Sequence, residues 1–464
     1  MSLAQNIKKT MNYCRKNGYS EAFFAAWERV TAKYYRNYTY RQPDKEELAQ
    51  QRQDQSITDI CFSILVPAFE TRTVYMTALI DSCLAQTYAN WELIIADGSK
   101  SDVVKKAVSG YNDPRIKYEK LPQNGGIAGN TSKAIALAKG DYCGLLDHDD
   151  MITPDALYEM AHAIKNKNDE NKPILVYSDE DKCDSSGTSF YDPHFKMDFN
   201  LDLILTNNYI CHFTMVETET LKKLDIRTDY DGSQDYDLIL RIVSTLLLRE
   251  KENTGAVRVE KKIAHVSKVL YHWRCHENST AENPQSKMYA YEAGKKALID
   301  FVDRMGWKGD VRHNKHLGFY RIEYRNNVLT HRPDLAAVGG FTACRGKIAG
   351  GVYKGQPLVY AGYMNRMDLY QNTRLLDIRN MAVNKEYQPV YEEVTGHPYE
   401  STFYADEKEL PQWIRELDKT AQGRTQIALL SAKLSRRLLE KGGRLLLDPV
   451  CVRTVKGRAD NFRK

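Results

Sequence analysis

The chain predicts an α/β fold: a Rossmann-like, mostly parallel sheet with flanking helices, preceded by a helical N-terminal segment and followed by a smaller α/β C-terminal domain. Three observations carry this. Short apolar runs alternate with segments of helical period between residues 62 and 177, which is the pattern of βαβ units. A polar cluster follows each of the first four apolar runs. The fourth run, Cys143-Gly-Leu-Leu146, ends abruptly in Asp147-His148-Asp149-Asp150.

In order, Phe62 to Val66 reads as a buried strand stopped by Pro67, because proline lacks an N–H and forces a turn. Thr73 to Tyr88 follows with Val74, Ala78, Leu79, Cys83 and Leu84 near helical spacing. Trp91 to Ala96 is the second strand, closed by Asp97-Gly98-Ser99. A short helix at Val103–Val108 leads to a third strand at Ile116–Leu121. Gly126 to Lys139 is the next helix, and Tyr142 to Leu146 the fourth strand. Thr153-Pro154-Asp155 marks a helix start, and Ile174 to Tyr177 closes the series as a fifth strand. Residues 1–55 read as a polar helical segment with an apolar cluster at Phe23, Phe24, Ala25, Trp27 and Val30.

In open α/β sheets ligands bind beyond the carboxyl ends of the strands. Phe69 and Glu70, Asp97, Asn124, and Asp147 with Asp149 all fall there, so four loops converge on one edge and point to a nucleotide-type site. Three carboxylates stacked at a strand end repel one another unless a cation neutralises them, and a hard divalent ion prefers oxygen ligands. The alternative is an acidic turn capping the next helix. No Gly-x-Gly-x-x-Gly follows the first strand and no Gly-Lys-Ser/Thr loop is present, against dinucleotide oxidoreductases and P-loop enzymes.

A formal charge of +5 is too small to imply nucleic acid for the chain as a whole. Nine cysteines without a Cys-x-x-Cys pair argue for reduced thiols in a cytosolic protein. No apolar stretch approaches twenty residues, so neither a membrane span nor a signal peptide is expected.

Val66-Pro67-Ala-Phe69-Glu70, Glu92-Leu-Ile-Ile-Ala-Asp97-Gly98-Ser99, Asn124-Gly-Gly126, Asn130 and Leu146-Asp147-His-Asp149-Asp150 resemble the inverting nucleotide-sugar glycosyltransferases of family 2, which have the GT-A fold. The resemblance continues through Tyr177-Ser-Asp-Glu-Asp-Lys182, Asp192-Pro-His-Phe-Lys196, Asn208-Tyr-Ile-Cys-His212, Gly232-Ser-Gln-Asp235-Tyr-Asp237 and Leu270-Tyr-His-Trp-Arg274, covering about residues 60–300. The nearest resemblance is to bacterial enzymes of O-antigen and other cell-surface polysaccharide synthesis.

The resemblance implies a nucleotide-sugar site formed by Pro67, Phe69, Glu70, Asp97, Asn124, Asn130, Asp147 and Arg274, the last pairing with diphosphate oxygens in fork geometry. Phe69 would lie against the base and Asp97 would accept its ring N–H; ordinary packing and an Asx-turn with Gly98 are the alternatives. Asp149 would bind Mn²⁺ or Mg²⁺, Asp147 would hold the ribose or a metal-bound water, and His272 or His276 would complete the metal shell. Asp235 would be the general base that deprotonates the acceptor, with Asp237 as its competitor. Asp179, Glu180 and Asp181, placed after the fifth strand, would face the acceptor or form a solvated turn.

These readings divide the chain into a helical segment (1–55), a GT-A glycosyltransferase domain (56–320) and a C-terminal domain (321–464) resembling a degenerate partial second copy. Residues 425–464 carry ten Lys or Arg against three acidic residues. Ile427, Leu429, Leu430, Leu434 and Leu438 stand there at helical spacing, which suits an anionic membrane surface, a homodimer contact or a solvated helix. The expectation is a metal-dependent transferase moving a sugar, with UDP the expected nucleotide, from its nucleotide diphosphate to a glycan or lipid-linked acceptor at the cytoplasmic face. A catalytically silent scaffold that binds glycan is the alternative from another class; a nucleotidyltransferase is disfavoured by the missing glycine-rich loop.

Overall fold

A computed structural model describes residues 11, 14 and 15, and residues 38–324 with breaks at 197, 253–257, 276–287 and 315–316. Beyond residue 330 it describes 331–332, 334–344, 347–350, 352–353, 356–357, 403–405 and 444–455. The expected apolar cluster at residues 23–30 and the basic segment 427–438 lie outside the described residues.

The expected alternation is present. Helix α1 (Lys45–Gln53) is capped by Asp44, whose side chain accepts from the Glu46 and Glu47 backbone N–H groups. Then follow β1 (Phe62–Ala68), α2 (Thr73–Leu84), β2 (Trp91–Asp97), α3 (Val103–Val108), β3 (Ile116–Lys120), α4 (Gly126–Leu137), β4 (Tyr142–Leu145), β5 (Met151–Ile152) and α5 (Ala156–Lys165). The second half holds β6 (Leu175–Cys183), β7 (Phe190–His194), α6 (Leu201–Ile204), β8 (Thr214–Glu217), α7 (Thr218–Leu224), α8 (Gln234–Glu252), β9 (Ile263–Arg274), α9 (Met288–Met305), β10 (Gly309–His313) and β11 (Tyr320–Tyr324).

Nine strands form one sheet in the order β3-β2-β1-β4-β8-β6-β9-β5, with β7 on β6. The first four are parallel to one another, as the alternation requires. The whole sheet is mixed, not mostly parallel, because β8 returns antiparallel between β4 and β6, and β7 and β5 pair antiparallel to β6 and β9. Strand direction this far along depends on pairings that local periodicity does not encode.

Strands buried on both faces read as continuous apolar runs. Leu65 and Ile94 face one core with α4, α8 and α9, while Ile64, Val66, Leu93 and Ile95 face the other with α2 and α5. Each such side chain contributes about 1.5–3 kcal/mol, so the carboxyl edge of β1, β2 and β4 is a rigid platform for short loops. Glu92 is the exception within β2: its carboxylate accepts from Ser63 Oγ at 2.6 Å and the Lys139 backbone at 2.7 Å, and pairs with Lys117.

Pro67 does not stop β1. The strand continues to Ala68, paired with β2 up to Ala68–Asp97, whereas its pairing with β4 ends at Leu65–Leu145. Proline therefore stands where one flank has already opened, the position a sheet tolerates. The fifth strand is longer than expected, because β6 runs on through Asp179, Glu180 and Asp181.

After β11 the strands β12 (Leu335–Cys344) and β17 (Arg444–Val455) pair in parallel, with β13 (Lys347–Gly350) and β16 (Phe403–Ala405) antiparallel to β12. Two short strands, β14 (Val352–Tyr353) and β15 (Gln356–Pro357), pair separately. Arg332, fully buried, bonds Asp202 and Asp334 at 2.7 Å each and lies over Trp307. Arg444 bonds Glu260 at 2.7 Å and Glu250 at 3.1 Å. These ion pairs tie the later strands to α6 and α8. Among the described residues no helix is long and apolar enough to cross a membrane.

Candidate active site

The loops at the carboxyl edge of the parallel strands converge as expected, but most of their polar groups bond each other. Asp97 is fully buried; its Oδ1 accepts the Ser99 N–H at 2.8 Å, and its Oδ2 accepts Tyr118 Oη at 2.7 Å and Lys120 Nζ at 3.1 Å. Burial pushes this carboxyl up, but the bonds from Ser99, Tyr118 and Lys120 outweigh it and hold the group below the usual range. The Asx-turn alternative is therefore present, and no face of the carboxylate is open to a base. Asn130, 2 % exposed, accepts the Gly125 N–H and donates to Asn124 Oδ1 at 3.0 Å and to the Ala68 carbonyl. A side chain on Gly98 would meet Asn130 Nδ2 at 2.8 Å and Asn124 Oδ1 at 2.9 Å, so only glycine lets these loops close. Glu70, in the left-handed region at φ 49°, accepts the Lys100 and Ser101 N–H groups and fastens the two strand ends together. Phe69 is 41 % exposed and outside both cores. Asp231 closes the α4 N-terminus by accepting the Ala128 N–H at 2.8 Å.

The acidic loop after β4 separates its carboxylates by role. Asp150, 1 % exposed, accepts from Tyr271 Oη and from the Arg274 backbone N–H at 2.7 Å. Burial, with Asp149 and Asp147 close by, pushes its carboxyl well up. Asp147 lines a cavity with its side chain half exposed, and partial burial, with Asp149 and Asp235 nearby, raises its carboxyl too. Asp149 is partly buried. Arg274 departs from the expected diphosphate clamp: it is 1 % exposed, donating from Nε to the Asp149 carbonyl at 2.6 Å and from Nη1 to the Ser185 carbonyl at 3.1 Å. It shapes the acidic loop from below.

The three acids of β6 are buried, not turned toward an acceptor. Asp179 accepts the Lys196 N–H and bonds His265 at 2.8 Å. Asp181 bonds Tyr38 Oη at 2.6 Å and His272 Nδ1 at 2.5 Å. Glu180 accepts the His212 backbone N–H at 2.7 Å and contacts His212 Nδ1 at 3.2 Å and His194 Nδ1 at 3.0 Å. Burial opposes its charge, but buried Lys196, 3.9 Å away, and the two histidines hold Glu180 well below the usual range.

His272 is consequently not brought to the acidic loop. Alternation along β9 sends it to the opposite face from Tyr271 and Trp273, where it packs on Tyr40 and Phe190. The imidazole that does arrive is His212, stacked on Tyr271 at 4.9 Å with Nε2 3.8 Å from Asp147 Oδ2. Burial disfavours its charged form, yet Glu180, Asp147 and Asp150 raise its pKa to about 9. His276 lies outside the described residues.

A cavity of about 240 Å³ collects the remaining groups: Pro67, Asp147, Cys211, His212, Asp235 and Trp273 are among those lining it. Asp235, at the start of α8, accepts Asn208 Nδ2 at 3.0 Å. Its competitor Asp237 is 1 % exposed and committed to Arg227 and to Arg241, the latter at 2.8 Å. Cys211, His212 and Asp235 bring ligand-type atoms within 4.8 Å of one another. Burial pushes the Cys211 thiol well up, Asp235 adding to it, and a hard divalent cation prefers oxygen and nitrogen ligands to sulfur. What remains is a carboxylate and imidazole set, which suits Mn²⁺ or Mg²⁺ better than a soft metal. A larger cavity of about 370 Å³ near Trp307 and Arg444 has its acids, Glu250 and Asp334, facing Arg444.

Residues 63–225 match the family model described as Glycosyl transferase family 2. Over that stretch, about a third of the chain, it is similar to that family. It is 27 % identical over 290 residues to an O-antigen biosynthesis protein of Myxococcus xanthus, covering 61 % of this chain and 21 % of that protein. It is 35 % identical over 246 residues to an uncharacterised protein of Sinorhizobium fredii, covering 52 % of this chain and 25 % of that one. The chain thus spans about a quarter or less of these two relatives. A putative colanic acid biosynthesis glycosyl transferase of Escherichia coli is 29 % identical over 188 residues, 39 % of this chain and 65 % of that protein. Among solved structures, S. aureus TarS 1–349 with UDP aligns at 19 % identity over 53 % of this chain and 71 % of that one, with a TM-score of 0.35, too low to weigh in the account.

Proposed function

We propose that the protein is an inverting glycosyltransferase that moves a sugar from a nucleotide diphosphate, of the UDP class, to a glycan or lipid-linked glycan of a cell-surface polysaccharide. The observation that carries this reading is that Asp147, from the end of β4, and Asp235, from the start of α8, line one cavity, while Asp237 is bound to arginines. Asp147 and Asp149 would hold Mn²⁺ or Mg²⁺, which supplies Lewis-acid neutralisation of the leaving diphosphate. Asp235 removes the acceptor hydroxyl proton as that oxygen bonds the anomeric carbon, and the bond to the diphosphate breaks on the opposite face. Exposed Phe69 offers a ring to the base, and Asn208 keeps the Asp235 carboxylate turned toward the acceptor. Polysaccharide synthesis is supported by the names of the Myxococcus and Escherichia relatives. Screening nucleotide sugars for Mn²⁺-dependent hydrolysis and transfer tests the reading; binding of glycan with no turnover of any donor would favour the scaffold instead.

The region after residue 321 belongs to the same proposal as a degenerate partial second copy, supported by the parallel β12–β17 pair. The basic segment within 425–464 would rest on the inner membrane face, near a lipid-linked acceptor. Reversing its charge, Lys433→Glu with Arg436→Glu and Arg437→Glu, should weaken binding to anionic vesicles; unchanged binding would count against that placement.

A further inference from the structure

The geometry points to His212, aimed by Glu180, as the nitrogen ligand of the divalent cation, in place of His272. This rests on the metal reading above and deepens it. A histidine serves a metal when one ring nitrogen is fixed by a carboxylate and the other is left facing the ion. Glu180 supplies that arrangement. It lies 6 % exposed on β6, receives both the backbone N–H and Nδ1 of His212, and is charge-compensated by buried Lys196 3.9 Å away.

Lys196 donates to the Ile210 carbonyl at 3.0 Å and to the His212 carbonyl, so the same ion pair fixes the main chain on either side of the ring. Tyr271 covers one ring face in a stack at 17°. Rotation is blocked, and Nε2 faces Asp147 Oδ2 across 3.8 Å, a gap between two donors that a cation placed between them would close. A neutral imidazole whose Nδ1–H donates to Glu180 would present its Nε2 lone pair to the ion. His272 has its Nδ1 on Asp181 and its ring among Tyr40 and Phe190, which places it in a separate cluster.

Mn²⁺ binding by the full chain, followed by EPR, tests this without reference to turnover. Pulsed EPR of the Mn²⁺-loaded wild-type protein should show coupling to ¹⁴N, and His212→Gln should lose that coupling. Its Mn²⁺ dissociation constant should rise about 10-fold or more, and Glu180→Gln should raise it by 10–100-fold or less, the range for an outer carboxylate. Absence of ¹⁴N coupling in the wild type, or its persistence in a folded His212→Gln protein, would overturn the assignment. Asp149→Ala separates the two levels. If that variant loses Mn²⁺ while His212→Gln keeps it, the ligand assignment fails alone; if Asp149→Ala also binds Mn²⁺ normally, the metal reading fails first.

Discussion

The two halves of the sheet handle polar residues in opposite ways. At the edge of β1, β2 and β3 with α4, Asp97, Asn124, Asn130 and Glu70 bond one another and the backbone, leaving few groups for a ligand. Around β6, β8 and β9, comparable bonding is used to push other groups outward: Glu180 aims His212, and Asn208 holds Asp235, both of which line the cavity. Polar residues at a strand end can thus be framework or chemistry. The number of their bonds already made distinguishes them. Framework residues should register in stability, and cavity residues in turnover.

The largest effect is expected at Asp149. Asp149→Ala should abolish transfer and weaken UDP binding chiefly when Mn²⁺ is present, as calorimetric titration with and without the ion would read. Unchanged metal dependence would move the ligand elsewhere.

Asp237→Asn should behave as a framework change. Removing one partner from a buried ion pair costs about 3 kcal/mol, the low end of the usual range because Arg227 reaches solvent. Denaturant melts should show that loss while kcat of the folded fraction stays near wild type. A catalytic defect without destabilisation would exchange its role with that of Asp235.

Asp97 gives a smaller and pH-dependent signal. Its native pKa lies below the unfolded value, so its contribution to stability is complete above about pH 4 and is lost as pH falls through the native pKa. Asp97→Asn should therefore lower Tm at pH 7 and flatten the acid limb of the stability curve, with UDP affinity changed less than Tm. A large loss of UDP affinity at unchanged Tm would return Asp97 to the base-binding role first expected of it.

The difference between the halves also explains what was legible beforehand. From β1 to α5, apolar runs and helical spacing are local, and the elements fall within a few residues of expectation. The acidic strand end at Asp147 is legible for the same reason, since an apolar run that stops in three acids stands out along the chain. Asp179-Glu180-Asp181 reads as a loop because charged residues seldom occupy a central strand; their partners His265, His194 and His272 lie 86, 14 and 91 residues away. His212 was visible within Asn208-Tyr-Ile-Cys-His212 but had no assigned role, since Glu180 is 32 residues distant. Arg274 reads as a phosphate clamp from its motif, but it is buried beneath the Asp149 carbonyl.

In the proposed reaction Asp235 works on the acceptor's proton and not on the donor. Asp235→Asn preserves shape and removes basicity, so single-turnover transfer should slow by roughly 10²–10⁴-fold, the usual contribution of a general base. Donor affinity, measured on the same sample, should hardly change. Near wild-type transfer by Asp235→Asn, with the donor bound normally, would contradict the account.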